Sequence, residues 1–438
     1  MRVNRKEKMF EDDEAEAEDG ESTDRKKKKT VSPEIEFANS LSHDLYKAKE
    51  NLVYHWNGSF WEVPTSFEKT ALRWLAQNNP KYASSRKARS LVDTAVNFLD
   101  ELPEADQNII PVLNGYLRLS SKGSVSLETS DPSFGITYTV NAKYDPQEKA
   151  PAFENFLNEV QPDSDVRSLI QEYVGYTFLT DTRFQKCQAW IGKGRNGKGT
   201  LANIIASLHR RVAAINIASL SGFGLSGLVG ASLVRVDELP RRIDEGFFKT
   251  LISGDPILVD IKHKSPMSMR VKAKWIMCGN DLFQIRDQSD GVWRRLQIIP
   301  FTVQIPENKI DPFLEKKIVE GELSGVLNWA LEGLQRLLQR GKFIDSKAVA
   351  TALVDARFGQ NSIYAWVRES EPKVVETPEI PKDIIYTHYK NWSDQRGFKA
   401  ENEIAFWKNL RNYLSPVDVQ RKRDAGSLRY YVNIAVSA

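Results

Sequence analysis

The stretch WIGKGRNGKGTL at 190–201 most constrains what this chain can fold into. Gly192, Gly197 and Lys198 fit the phosphate-loop pattern G-x-x-x-x-G-K-[ST]. A short apolar run, CQAWIG, leads into the stretch and a helical pattern, TLANIIASLHRR, leads out, which is the context that gives the pattern meaning. Gly192, Gly194, Asn196, Gly197, Lys198, Gly199 and Thr200 are therefore the expected nucleotide-binding residues. Backbone N–H groups from Gly194 to Gly199 would face the phosphates, helped by the positive end of the helix dipole, and Lys198 would reach the β- and γ-phosphates. One letter departs from the pattern. Gly199 stands where a hydroxyl should hold magnesium, and Thr200 comes one residue late, about 100° further round the helix. Two arrangements are open: Thr200 reaches the metal, or a water fills that position, as magnesium readily allows.

Three further buried strands carry polar residues at one end. SLVRVDELP at 232–240 ends in Asp237 and Glu238, AKWIMCGND at 273–281 ends in Asn280, and LQIIPF at 296–301 follows Arg294 and Arg295. Asp237 follows Lys198 by 39 residues; it suits magnesium, usually through water, and Glu238 suits the polarising of an attacking water. Asn280 can position that water at the γ-phosphate. The strand after Arg294 and Arg295 is too apolar to be exposed, so at least one guanidinium projects from its end, where it suits the γ-phosphate of a neighbouring subunit. Strands alternating with helices predict an α/β fold: a parallel sheet with helices on both faces.

The 438 residues suggest two or three domains at about 150 each. Residues 1–33 carry an acidic block (EDDEAEAED) and a lysine run (RKKKK), bury nothing, and are expected to be disordered. Residues 34–180 read as a mixed α/β unit, with a hairpin at Asn57-Gly58, helices within 70–102, a strand pair at 112–119 and two amphipathic helices before 180. The ATPase unit spans 181–345. Residues 346–438 hold a Pro- and Glu-rich linker (370–381), two helices and a hairpin whose turn is basic, which suggests a winged helix. No apolar run approaches the roughly 20 residues of a membrane helix, and no signal peptide is visible. The two cysteines, each beside apolar neighbours, point to a reduced, cytoplasmic setting. The net charge of +3 names no partner by itself.

Between the acid pair and Asn280, ILVDIKHKSPMSMRV reads as two strands joined by a basic tip, Lys262-His263-Lys264. Such a tip could grip a phosphate backbone on a ring's inner wall.

With these residues assembled, the sequence resembles the superfamily 3 helicases, and most closely the helicase half of phage, plasmid and poxvirus primase-helicases. The resemblance rests on GKGRNGKGT, LVRVDE, SGDPILVDIKHK, WIMCGND and GVWRRLQIIPF in order, and on NGYLRL…LIQEYVGYTFL ahead of them. It implies an AAA+ P-loop core after a mixed α/β domain, a C-terminal winged helix, and a hexameric ring that moves 3′→5′ on single-stranded DNA using ATP and Mg²⁺. Lys198 then matches the phosphate lysine, Asp237 and Glu238 the acid pair, Asn280 the polar sensor, Arg295 the finger acting in trans with Arg294 beside it, and Lys262 and His263 the DNA-holding pair. Arg421, Lys422 and Arg423, with Arg429, suit duplex DNA at the wing. Residues 1–33 are too short for a primase domain, so priming is either done by a separate primase or polymerase or is not associated with this protein. Two other readings stay open: an AAA+ machine that remodels or loads proteins, and an origin-binding protein whose ATPase Gly199 has silenced.

Overall fold

The computed structural model describes residues 31–120, 123–219, 222–260, 267–285, 290–424 and 427–436. The expected disorder of the N-terminal tail lies outside these residues up to 30. The described chain begins with α1 (Pro33–Ser40), capped by the Ser32 hydroxyl. An antiparallel sheet follows, of β1 (Tyr46–Lys49), β2 (Leu52–Trp56) and β3 (Trp61–Glu62). The Asn57-Gly58 turn joins the last two: Asn57 Oδ1 accepts from Ser59 N and Phe60 N, both at 3.0 Å, and Gly58 takes φ +94°. Helices α2 (Phe67–Asn78) and α3 (Ser85–Phe98) cover this sheet and share with α1 a core of their own, from Phe37 to Leu99. The pattern suggested helix as far as 102, but α3 stops at Phe98. Residues 100–102 instead pair with β1, through Ala48 N to Asp100 O and Leu102 N to Ala48 O, both 2.9 Å.

A second antiparallel sheet holds β4 (Ile109–Val112), β5 (Gly115–Leu119) and β6 (Val125–Glu128), and leads to α4 (Pro151–Val160) and α5 (Ser164–Tyr176). The next stretch builds the central sheet: β7 (Cys187–Ile191), α6 (Lys198–Ser207), β8 (Val212–Ala214), β9 (Leu233–Val236), α7 (Glu245–Ser253), an antiparallel hairpin of β10 (Pro256–Val259) and β11 (Met267–Arg270), then β12 (Lys274–Gly279), α8 (Asp290–Trp293) and β13 (Leu296–Pro300). Five of these strands pair in parallel in the order β13-β7-β12-β9-β8. Strand β7, which feeds the glycine loop, lies between the fourth and fifth strands of the sheet in chain order. That is a reversal point, where α/β sheets open a crevice at their carboxyl ends.

Helices α9 (Leu314–Gly321), α10 (Leu323–Arg340) and α11 (Lys347–Gln360) pack back onto this unit. One face of the central sheet shares a single apolar core with β4, β5, α4, α5 and α10, running from Ile110 to Phe343. The seam of α5 and α10 is unusually close. A Cβ on Gly175 would stand 2.4 Å from Ala330 O, and one on Gly333 would stand 2.4 Å from Gln171 O, so the two backbones meet with no side chain between them. Beside them Glu172 is fully buried, accepting from Arg340 Nη1 at 2.9 Å and from Ile344 N at 2.8 Å. The other face has its own core, which includes Phe248, Trp275 and Trp293.

The C-terminal part holds α12 (Ser362–Ser370), β14 (Lys373–Val374), β15 (Ile380–Pro381), α13 (Lys382–Gln395), α14 (Glu403–Leu410), β16 (Val419–Asp424), β17 (Ser427–Val432) and β18 (Ile434–Ala435) around a separate aromatic core. The stretch 370–381, expected as a linker, is folded into this unit: β14 pairs with β18 and β15 with β17. Among the described residues no helix is long and apolar enough to cross a membrane.

His209, just past α6, is buried between Thr177 Oγ1 and Ser232 Oγ, each at 3.0 Å. Burial first, and then the charge of Lys274, push its pKa down to about 3. The native state therefore binds fewer protons than the unfolded chain between about pH 6.5 and 3, and stability from this group is present above that window and lost as pH falls through it. The slope contributed is up to about 1.4 kcal/mol per pH unit. Replacing it by glutamine (His209→Gln) should flatten the acid side of a melting-temperature profile. An unchanged acid limb would show that His209 is not the group responsible.

Candidate nucleotide site and nucleic-acid surfaces

The sheet register gathers the chemistry at one edge. Gly279 pairs with Ile191 and Met277 with Val236, which puts Asn280 level with Gly192, Asp237 level with Cys278, and Glu238 level with Gly279. Asp237, Glu238 and Asn280 are all exposed there.

The loop itself is shaped by backbone angles. Gly194, Arg195 and Gly197 have φ of +53°, +48° and +76°, left-handed angles that suit a loop curled round an anion, while the Gly194 N–H, expected to face the phosphates, donates to Gly192 O at 3.1 Å. Arg195 holds this angle without being glycine, a strained state that costs of the order of 1–2 kcal/mol and is fixed by its surroundings. Its carbonyl accepts from Ile305 N at 2.8 Å and its guanidinium meets Glu307 at 3.1 Å. Gly197 ends the loop because no side chain fits: a Cβ would stand 2.5 Å from Val160 Cγ1, so α4 backs the loop directly. Gly192 is equally confined, with Phe301 O at 2.2 Å from a Cβ position.

Lys198 opens α6 and is almost buried, with Nζ donating to Gly192 O at 2.7 Å and Asn196 Oδ1 at 3.2 Å. Desolvation lowers its pKa. The loop lysine is thus folded onto the loop's own acceptors, and Asn196, whose amide also donates to Phe301 O at 3.3 Å, is its partner. Gly199 is the opposite of Gly197: nothing lies within 4 Å of a Cβ placed on it. The missing hydroxyl therefore leaves open space. Thr200, half-buried, sits one position on in the first turn of α6. One exposed carboxylate at a strand end and one hydroxyl in the first helical turn are hard oxygen donors, and that set fits magnesium together with phosphate oxygens and waters.

Two residues missed from the sequence stand beside Asp237. Arg235, on β9, places Nε 2.5 Å from Asp237 Oδ1, and its Nη1 donates to Asn203 Oδ1 on α6. A signal was present, since Arg235 is the one charge in the apolar run SLVRV, two residues before the acids. Cys278, below them, is buried, and desolvation raises its pKa to about 11, so it remains a neutral thiol.

Arg294 and Arg295 precede β13, at the end of the sheet opposite the loop. Their environments differ sharply. Arg295 is buried, donating to Ser253 Oγ from Nε at 3.0 Å and from Nη2 at 2.5 Å, and to Gly291 O from Nη1 at 2.5 Å. Arg294 is exposed, and among the described residues its guanidinium has no hydrogen-bond or ion-pair partner.

Lys262, His263 and Lys264 lie outside the described residues; β10 and β11, which lead to and from them, pair antiparallel with Val259 opposite Met267. At the C-terminus, Arg421, Lys422 and Arg423 lie along β16 rather than in the turn, opposite Tyr430, Arg429 and Leu428. Arg421 stands over the Tyr430 ring at 6.0 Å, while Lys422 donates to Pro378 O at 2.8 Å.

Residues 37–162 match the family described as D5 N terminal like, and residues 190–295 match a family of unknown function, DUF5906. The protein named Putative helicase L207/L206 of Acanthamoeba polyphaga mimivirus is 29% identical over 379 residues, covering 77% of this chain and 38% of that protein. Replication protein E1 of cottontail rabbit papillomavirus (strain Kansas) is 27% identical over 146 residues, covering 32% of this chain and 23% of its own length. The chain thus spans well under half of these curated relatives. The apo structure of the NrS-1 C-terminal region (305–718) superposes with a TM-score of 0.48 at 11% identity, covering 89% of this chain and 96% of that one.

Proposed function

We propose, from a chain whose matches fit a phage or viral superfamily 3 helicase, that it is an ATP-driven replicative DNA helicase working as a ring of copies. The observation that carries this reading is the register that sets Gly192, Asp237, Glu238 and Asn280 on one edge of a parallel sheet, around Lys198.

In this mechanism the loop N–H groups bind the β- and γ-phosphates, and Lys198 exchanges Gly192 O and Asn196 Oδ1 for phosphate oxygens. Asp237 would hold Mg²⁺, with Thr200 or a water completing its shell, and the ion would supply neutralisation of developing phosphate charge. Glu238 takes the proton of the attacking water, and Asn280 orients it. The arginine finger comes from the neighbouring copy, and Arg294 is the better-placed candidate of the pair, since Arg295 is already engaged. Residues 34–180 form a mixed α/β domain, 181–345 the AAA+ core, and 346–438 a winged helix whose β16 and β17 face duplex DNA. The ring is a hexamer, it moves 3′→5′ on a phage, plasmid or viral replicon inside the host cytoplasm, and the Lys262-His263-Lys264 tip grips the strand. A separate primase or polymerase supplies primers.

The test is ATP turnover with and without single-stranded DNA, and strand displacement on forks of both polarities, against a Lys198→Ala control. DNA-stimulated turnover is expected, lowered about 10²–10³-fold in the control by loss of a pre-organised phosphate contact. Turnover indifferent to DNA would favour a protein-remodelling ATPase. Turnover no higher than the control would mark a silenced site.

A further inference from the structure

Asp237 already has a cation. Arg235 Nε lies 2.5 Å from its Oδ1, and the same guanidinium is tied by Nη1 to Asn203 Oδ1, whose Nδ2 in turn donates to Glu315 Oε2 at 2.6 Å. The arginine is thus held from two sides, between the strand that carries the acid and the helix that follows the glycine loop. Its side chain is 20% exposed and that of Asp237 is 61% exposed, so the carboxylate faces the site while the guanidinium sits beneath it. Arg235 is the one charge on this strand, whose neighbours Leu233, Val234 and Val236 are all buried.

We propose that Arg235 is a built-in counter-ion that keeps Asp237 a poor ligand for a free divalent cation, so that the metal enters only together with nucleotide phosphates. This inference rests on the reading of Asp237 as the acid of the nucleotide site. Two features make it follow. A free Mg²⁺ ion loses strongly bound water on entering and must be compensated by protein oxygens. Here the loop supplies no hydroxyl at Gly199, where the space beyond the backbone is open, and the carboxylate's charge is partly neutralised before the metal arrives. A cation that arrives on a triphosphate brings its own oxygen ligands and needs Asp237 only as an additional contact. Arg235 therefore penalises metal alone far more than metal with nucleotide, and prevents a divalent ion from occupying the site in advance of its substrate. Asn203 and Glu315 are positioning residues for this pair, since they fix the arginine against the acid.

The experiment uses the full chain with Mn²⁺ as a paramagnetic stand-in, titrated by electron paramagnetic resonance with no nucleotide present. Arg235→Gln should bind Mn²⁺ about fivefold more tightly than the wild type, the change that a partly exposed ion pair of about 1 kcal/mol carries. With ADP present the gap should shrink, and Arg235→Lys, which keeps the charge, should stay near wild type. Should the glutamine variant unfold, Arg235→Met keeps the stem without the charge and should give the same gain. An affinity that is unchanged or weaker in a folded, uncharged variant overturns the proposal. An Asp237→Asn substitution added to Arg235→Gln separates the two readings: if the gain in Mn²⁺ affinity survives in the double variant, Asp237 is not the metal acid and the reading beneath the proposal fails instead.

Discussion

Arg294→Ala should lower DNA-stimulated ATP turnover about 10³–10⁵-fold while leaving nucleotide affinity and melting temperature near those of the wild type. The reasoning is geometric. Arg294 lies just before β13, and the glycine loop lies past the far end of the parallel strand β7. Five residues of β-strand extend about 16 Å, so this guanidinium projects away from its own subunit's loop. An exposed arginine with no partner among the described residues is free to enter a neighbour's site. Mixing Arg294→Ala with Lys198→Ala chains supplies the decisive readout. Mixed rings contain seams where an intact loop meets an intact arginine, so turnover should reappear although neither variant works alone. No recovery on mixing would remove the trans assignment. Arg295→Ala should behave differently, losing stability of the order of 1–3 kcal/mol, because its removal takes both Arg295 donors from the buried Ser253 hydroxyl.

The second large effect concerns Glu172, far from the nucleotide. Glu172→Ala should destabilise the fold by about 2–3 kcal/mol, because it leaves the Ile344 N–H without its acceptor and takes the counter-charge from Arg340, which keeps only Lys342 O. Arg336 Nε, at 3.9 Å from the same carboxylate, loses its counter-charge as well. Urea unfolding followed by tryptophan fluorescence measures it. The double variant Glu172→Ala with Arg340→Leu should recover part of the loss, since it removes the unpaired charge. A single-variant loss below about 1 kcal/mol would mean that water reaches the pocket and solvates the arginines.

Much of the site could be read from the chain because its parts are local. A glycine loop between strand and helix, and polar residues that close apolar runs, are patterns within about ten residues, and Gly192, Asp237 and Asn280 fall at strand ends where those patterns put them. What escaped depends on packing between distant segments. Arg294 and Arg295 are identical letters side by side; only Ser253, at the end of α7, decides which is buried. Strand β8 is three residues, too short to show a period, and β14 and β15 hide in a Pro- and Glu-rich stretch because their partners come from the last strands of the chain. The terminal basic residues were expected in a turn, yet six-residue strands carry them outward, since alternation along β16 and β17 was masked by charge on both faces.

The seam of α5 and α10 also decides which parts of the molecule can shift against each other. Helices whose backbones touch at Gly175 and Gly333 have no compressible layer to slide on, and the apolar interior from Ile110 to Phe343 runs across them without a break. The segment ahead of the glycine loop is thus locked to the sheet, with no internal joint between them that could bend on its own.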